Sequence, residues 1–282
     1  MRDFFVPKDL LLFSSSMGME SDLSVRGFSG GLSEAATMLL TAATATPAIP
    51  SGIAFIGAVT HISTSTTNQT VALPQDIIAG DLVLVLVAGT TSGASGNRDL
   101  GVITTGYTEL CDLFSDDLQD AELSVSYKIM GDVPDTQVVT TGVFSGTASY
   151  AASVIIQAFR GVDQTTPLAA TTTTAAINNT YIPNPPAITP TVDNALVVSA
   201  VASVIATRVD PDPVLQAPSP LQDVSVTYAK PSTAMTAQSA GMGSMLATTA
   251  GVAIDLATWT ILGSGATSSA WAAATIALRP AT

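Results

Sequence analysis

Short apolar segments recur along the chain from about residue 52 onward, and clusters of Gly, Pro, Asp or Asn separate them. Residues 123–129 alternate apolar side chains with Ser and Lys, which is the period of a strand with one solvated face. Residues 82–88 are apolar at every position, a pattern typical of a central strand that is covered on both faces. About ten such strands with no helices between them predict an all-β fold, an antiparallel jelly-roll-like β-sandwich.

The first 51 residues follow a different pattern, in which short apolar clusters alternate with Ser, Gly and Met. Residues 32–43 are the best helix candidate, because Ser33 and Glu34 form a start signal and the sequence ATPAIPSG forms a stop signal. Two interpretations remain open: a partly disordered leader, or an extended arm that becomes ordered against a partner subunit. We predict an N-terminal anchoring arm with a short helix over residues 1–51 and a β-sandwich domain over residues 52–282. The arm residues predicted to contact a partner are Phe4, Phe5, Leu10, Leu11, Leu12, Phe13, Met38, Leu39 and Leu40.

Neither a signal peptide nor a membrane segment is expected. The apolar patch at residues 10–13 is too short for a signal peptide, and Asp3 and Asp9 interrupt the basic region that one requires. No apolar run approaches the roughly 20 residues of a membrane-spanning helix. We therefore expect no membrane association.

The composition is poor in charge, since only 11% of the residues are charged against about 25% in typical soluble domains. So few charges predict a surface that neighbouring molecules largely cover. The net charge is −13, and the nine Lys and Arg residues are spread singly along the chain, so we expect no nucleic-acid partner. The one cysteine excludes an intramolecular disulfide and a cysteine-based zinc site.

Residues 171–190 are rich in Thr and then in Pro, and we interpret them as an extended crossover between two halves of one sandwich. Pro183, Pro185 and Pro186 are incompatible with a central strand. A linker between two domains is the alternative, but neither half has enough strands for two sheets. The sequence shows no strict internal repeat and no heptad pattern.

Candidate catalytic chemistry is sparse. His61 and Cys111 are the single histidine and the single cysteine, but neither lies in a catalytic signature, so we expect structural roles for both. The carboxylates of residues 112–122 could bind Ca²⁺, although they lack the EF-hand spacing, and a solvated acidic loop is the alternative. Nothing indicates that Glu109 and Glu122 converge as the carboxylate pair of a glycosidase. We predict no catalytic residue, no metal and no cofactor, and hence no enzyme.

A structural corner is predicted where the strand that ends in AFRG meets the following loop. Gly161 is expected to turn the chain, and Arg160 is expected to pair with Asp163 or with carbonyl groups of the next loop. The turn at Gly80 and Asp81, which leads into the apolar run, belongs to the same set of fold-holding residues.

The order of these segments resembles a β-sandwich domain that recurs in bacteriophage structural proteins and in some bacterial surface proteins. The segments that carry the resemblance are TVALPQDIIAGDLVLVLVAG, GYTEL, SVSYKIMGD, VIIQAFRGVDQTTPL, PAITPTVDNALVVSAVA and WAAATIALRP. In that family a Pro-containing turn precedes Gly-Asp and a Leu/Val strand, as Pro74, Gly80 and Asp81 do here. A Gly-aromatic-Thr element follows, here residues 106–108 with Tyr where the family often has Trp, and later an Arg-Gly-Val-Asp corner, here residues 160–163. The resemblance covers about residues 53–280 and implies no catalytic residues.

The resemblance, the arm and the sparse charge together imply a structural protein of the virion. The first interpretation is a capsid decoration (cement) protein that stabilises the head through its N-terminal arm; a tail or baseplate appendage, or a glycan-binding receptor protein, is the alternative. The expected partners are the major capsid protein or tail components, and further copies of the chain, with a trimer as a possible state. A glycan site would need exposed aromatic residues, for which the candidates are Tyr107, Tyr150, Tyr181, Tyr228, Trp259 and Trp271.

Overall fold

The computed structural model describes residues 52–63, 65, 67–92, 99–115, 119–142, 152–177, 182–205, 214–217, 225–229, 237–262 and 269–282. The predicted arm over residues 1–51, with its helix and all of its predicted contact residues, lies outside the described residues. Within the described part of the chain the regular elements are strands, and no helix there is long and apolar enough to cross a membrane.

Fourteen strands are defined among these residues, and small or β-branched side chains, which suit a pleated surface, dominate them. In chain order the strands are β1 (Ala54–Ser63), β2 (Gln69–Ala72), β3 (Leu82–Ser92), β4 (Thr108–Phe114), β5 (Gln119–Ile129), β6 (Gln137–Thr140), β7 (Ala152–Arg160), β8 (Thr173–Ile177), β9 (Ala195–Ile205), β10 (Val214–Gln216), β11 (Ser225–Ala229), β12 (Ala237–Ala247), β13 (Thr260–Leu262) and β14 (Ser269–Leu278).

Two five-stranded antiparallel sheets form the body of the protein. The first has the order β1-β7-β3-β5-β4 and the second has the order β11-β12-β9-β14-β8, while β2-β6 and β10-β13 form two small sheets. The predicted all-β class with antiparallel sheets is therefore confirmed. The first large sheet comes from the N-terminal half of the described chain and the second from the C-terminal half, so residues 171–190 do connect two halves. The first part of this crossover forms the edge strand β8, which the sequence analysis did not predict.

Strand β3 lies at the centre of the first sheet and is covered on both faces, as its continuous apolar run predicts. Leu82, Leu84 and Leu86 face the second sheet and share one hydrophobic cluster with residues of β9, β12 and β14. Val83 and Val85 lie on the opposite face and pack under the small β2-β6 sheet. All five side chains are fully buried, and each burial contributes about 1.5–3 kcal/mol before the entropy cost of folding.

The outer face of the second sheet is also covered. Val197 and Val201 of β9 pack there with Trp259 and Trp271, and both tryptophans are buried. The indole N–H of Trp259 donates a hydrogen bond of 3.1 Å to the hydroxyl of Ser199, which satisfies the polar end of this ring. Both tryptophans are therefore core residues.

The two large sheets repeat one strand order. The first sheet uses β1, β3, β4, β5 and β7, and the second uses β8, β9, β11, β12 and β14. When the five strands of each set are numbered in chain order, the first sheet has the order 1-5-2-4-3 starting from β1. The second sheet has the same order when it is read from β8. Contacts between the sheets place β1 beside β11, β3 beside β9 and β4 beside β8. An approximate twofold axis between β3 and β9 would generate these contacts, so the two halves of the described chain share one strand topology.

The register of the strands supports this equivalence. The matching pairs are Leu82 with Ile129 and Phe159 in the first sheet, and Leu196 with Leu246 and Leu278 in the second. Two positions before Leu82 and Leu196 the backbone is left-handed, with φ of 84° at Gly80 and 56° at Asn194. Arg160 and Arg279 come directly after Phe159 and Leu278. The halves share register and turns although most of their side chains differ, which is why the sequence shows no strict repeat.

Candidate functional site

The predicted corner is built around an ion pair between Arg160 and Asp81. The guanidinium donates from Nε to Oδ1 and from Nη2 to Oδ2 of Asp81, each at 2.9 Å, and Nη2 also reaches the carbonyl of Asp76 at 3.0 Å. Asp81 is only 1% exposed, and its Oδ2 accepts the backbone N–H of Ile78 as well. The hydrogen bonds to Asp81 raise the pKa of Arg160 and hold it charged.

Arg160 therefore pairs with Asp81 and not with Asp163, contrary to one expectation from the sequence. The reason is the register, because Phe159 lies opposite Leu82 and brings the end of β7 beside the start of β3. The carboxylate of Asp163 instead accepts the backbone N–H groups of Thr165 and Thr166 at 2.8 Å. These two bonds lower the pKa of Asp163.

The two glycines of the corner have left-handed backbones. Gly161 has φ of 81°, and a Cβ at this position would lie 2.6 Å from the carbonyl oxygen of Gly52. A Cβ on Gly80 would overlap the side chain of Gln164. Both positions therefore require glycine, and Gly161 packs against the backbone where the described chain begins.

The Gly-Tyr-Thr element also has structural contacts. Gly106 has φ of 87°, and the ammonium group of Lys128 lies 5.5 Å from the centre of the Tyr107 ring. Lys128 forms an ion pair of 2.7 Å with Asp135. Burial is the main cause that raises the pKa of the Tyr107 phenol, with a smaller contribution from Asp135. Tyr107 is half-buried and Lys128 lies over its ring, so this ring is not available to stack against a ligand.

His61 and Cys111 are not brought together. They belong to β1 and β4, which are the two opposite edges of the first sheet. The ring Nε2 of His61 lies 3.4 Å from Oε1 of Gln69, and burial raises the pKa of the Cys111 thiol to about 12. Within the described residues no group of three or more His, Cys, Asp or Glu side chains is placed to hold a metal ion.

The acidic residues on β4 and β5 divide into buried and exposed members. Asp120 and Glu122 are buried on β5, whereas Glu109 on β4 is exposed and accepts a hydrogen bond of 3.1 Å from Ser124. Partial burial is the main cause that raises the pKa of Glu109, and the negative charges of Asp112 and Asp99 add to it. Glu109 and the buried Glu122 do not form a carboxylate pair across a cleft.

An open cleft of about 640 Å³, which we name the seam cleft, lies where the edge strand β4 meets the chain segment before β8. It is lined by Thr108, Glu109, Leu110, Tyr127, Leu168, Ala169, Ala170, Thr171, Thr172 and Thr191. One wall is the start of β4, and the other is residues 168–172. Aliphatic and aromatic side chains thus alternate with threonine hydroxyl groups and one carboxylate.

Hydrogen bonds fix the second wall of the seam cleft. Leu168 forms an isolated bridge with Leu278, and regular pairing resumes only at Thr173. The carbonyl of Ala169 accepts two hydrogen bonds from Thr191, at 2.8 Å from the backbone N–H and at 2.6 Å from the hydroxyl. The backbone N–H of Ala169 also donates to the carbonyl of Ala277 on β14 at 2.7 Å, so the segment that leaves the sheet is residues 170–172.

A second cleft of about 570 Å³, which we name the proline cleft, lies between two loops of the first half. It is lined by Leu73, Pro74, Gln75, Asp76, Ile77, Pro134, Asp135 and Thr136. Neither cleft was expected from the sequence. Each joins segments distant in sequence, and no local signal marks their proximity.

No protein-family model, no curated protein and no solved structure matches this chain.

Proposed function

We propose that this chain is a structural protein of a bacteriophage virion, a head decoration protein that its N-terminal arm anchors and whose two sheets form a jelly-roll-like sandwich. The proposal begins from the resemblance of the sequence segments described above. The corner residues Gly80, Asp81, Arg160 and Gly161 hold strands together in the structure, which is the role that such fold-holding residues would have in a scaffold.

The observation that carries an assembly role is the chemistry of the sheet edges. Soluble proteins protect edge strands with charged residues, above all lysine, because an open edge pairs readily with another chain. Three of the four edges of the large sheets, β1, β8 and β11, contain no Asp, Glu, Lys or Arg at all. Such edges favour lateral pairing with neighbours, which is useful in a lattice.

Exposed apolar side chains accompany two of these edges. Ile62 on β1 is 39% exposed and Ile177 on β8 is 44% exposed. Because β1 lies beside β11 and β8 lies beside the charged edge β4, each copy presents the uncharged edges β1 and β11 on one side and β8 on the other. Pairing on both sides, together with an anchored arm, would add buried area between neighbouring subunits and stiffen a shell.

A deletion tests the role of the arm. Removal of residues 1–51 is expected to leave a soluble β protein by circular dichroism and to abolish its incorporation into particles. Normal loading of the truncated protein would overturn the anchoring role.

Charge substitutions test the edges in the full-length chain. Ile62→Lys and Ile177→Lys are expected to reduce incorporation, while the matched control Val252→Lys, at a loop residue that is 50% exposed, should not. Equal loading of all three variants would contradict edge pairing and leave a tail or baseplate appendage as the stronger candidate.

A further inference from the structure

We infer that the seam cleft is a binding site for a neutral oligosaccharide. This inference goes beyond the proposed assembly role and does not rest on it. The site is formed by residues on both halves of the chain, and the aromatic residue among its described lining residues is Tyr127, which was not among those predicted for a glycan site.

The lining of the seam cleft has the two kinds of surface that a sugar needs. Thr108 and Thr171 are exposed and supply hydroxyl groups that can both donate and accept hydrogen bonds, and Glu109 supplies acceptors. Leu110, Leu168 and the half-buried ring of Tyr127 supply an apolar surface against which the C–H face of a sugar ring can pack. A volume of about 640 Å³ accommodates a short oligosaccharide.

The charge of the lining selects a neutral ligand. The described residues that line the seam cleft include one carboxylate, Glu109, and no Lys, Arg or His. The nearby Asp99 and Asp112 add negative charge, as their effect on the pKa of Glu109 shows. Among the described residues the nearest cation is Arg279, whose Nη2 donates to the hydroxyl of the lining residue Thr191 at 3.4 Å. A sialylated or uronic acid residue would therefore meet three carboxylates against this single, already bonded guanidinium, which disfavours an acidic ligand.

The shape of the site is a departure from the repeat. In the first half the equivalent strand β1 has only a one-residue bulge between Phe55 and Gly57, and its pairing continues to Ala54. In the second half the backbone N–H of Ala169 still bonds to β14, and the three residues 170–172 separate this bond from the start of β8. The fold does not require this excursion, because at the equivalent position of the first half β1 stays paired with β7.

Hydrogen bonds also fix the position of this wall of the seam cleft. Thr191 fixes the carbonyl of Ala169 through its backbone N–H and its hydroxyl group. A wall that is ordered before binding lowers the entropy cost of capturing a weakly binding sugar.

The experiment uses the ¹⁵N-labelled full-length chain and a glycan array that displays neutral and acidic glycans. Neutral glycans should bind, and the corresponding free trisaccharide should shift the amide signals of residues 108–110, 168–172 and 191. Glu109→Gln, which keeps an acceptor for Ser124, and Thr171→Val should each weaken binding by about five- to tenfold. Thr136→Val in the proline cleft is the matched control and should leave the affinity unchanged.

Three outcomes overturn the inference: no neutral glycan binds, the shifts fall outside the seam cleft, or Thr136→Val weakens binding as much as Thr171→Val. An alternating Val/Lys heptapeptide is titrated in parallel. If it shifts the same amides and no neutral glycan does, the cleft is a docking site for a basic peptide strand. None of these outcomes changes the result of the arm deletion, so the glycan site and the assembly role are tested separately.

Discussion

Arg160 shows how far along the chain the partner of a fold-holding residue can lie. Its carboxylate partner, Asp81, stands 79 residues earlier, and the loop residue Asp163 nearby is occupied by backbone N–H groups. Arg160 and Asp81 were both expected from the sequence to be structural, because Arg, Gly and Asp at strand ends are typical of corners. It could not identify their pairing, which depends on the register between β3 and β7.

Gly161→Ala should destabilise the protein. The substitution places a Cβ against the carbonyl of Gly52 and forces a side chain into a left-handed backbone with φ of 81°. We expect the free energy of unfolding in urea to fall by about 1–3 kcal/mol. Gly131→Ala is the matched control, because nothing lies within 4 Å of a Cβ there, and it should change stability by less than about 0.5 kcal/mol. Equal effects of the two substitutions would refute the requirement for glycine at the corner.

Cys111 should make stability depend on alkaline pH. Burial raises its pKa from the ordinary value of 9.0 to about 12, so the folded state holds the thiol proton more tightly than the unfolded state does. Its contribution is complete below pH 9 and is lost as the pH rises from 9 toward 12. The free energy of unfolding should therefore fall more steeply over this window in the wild type than in Cys111→Ala. Parallel curves for the two proteins would show that the thiol is not protected by burial.

At the scale of strands, prediction succeeded where the signal is local. The continuous apolar run of β3 and the alternation of β5 lie within single segments, and both strands occur in the structure. The edge strand β8 was missed because the sequence of residues 173–177 is only Thr, Ala and Ile, with neither alternation nor a long apolar run. Its identity as a strand comes from pairing with β14, which is a tertiary effect.

Hydrogen exchange should separate central strands from edges. The amides of β3 and β9 lie at the centres of the two sheets, and both strands are buried on both faces. We expect their amides to exchange most slowly, at rates governed by global unfolding, and those of β4 and β8 to exchange at least about tenfold faster through local opening. Slow exchange throughout β8 in the isolated protein would show that this edge is already covered and is unavailable to neighbours.

At the scale of the whole molecule, the repeat of one five-stranded topology was not visible in the sequence. Equivalent positions such as Leu82 and Leu196 share the register, but the residues around them differ, because volume and pattern constrain a sheet more than residue identity does. The seam cleft was hidden for a related reason, since it arises where the second half departs from the repeat. The all-β class, by contrast, followed from the pattern of strands and turns alone.

The proposed role as a head decoration protein is tested most directly by the number of copies in each particle. Quantitative mass spectrometry of purified particles, with the major capsid protein as the internal reference, measures this number. A decoration protein covers a repeating lattice, so we predict on the order of hundreds of copies per particle. About a dozen copies or fewer would place the protein in the tail, and its absence from particles would contradict a virion role altogether.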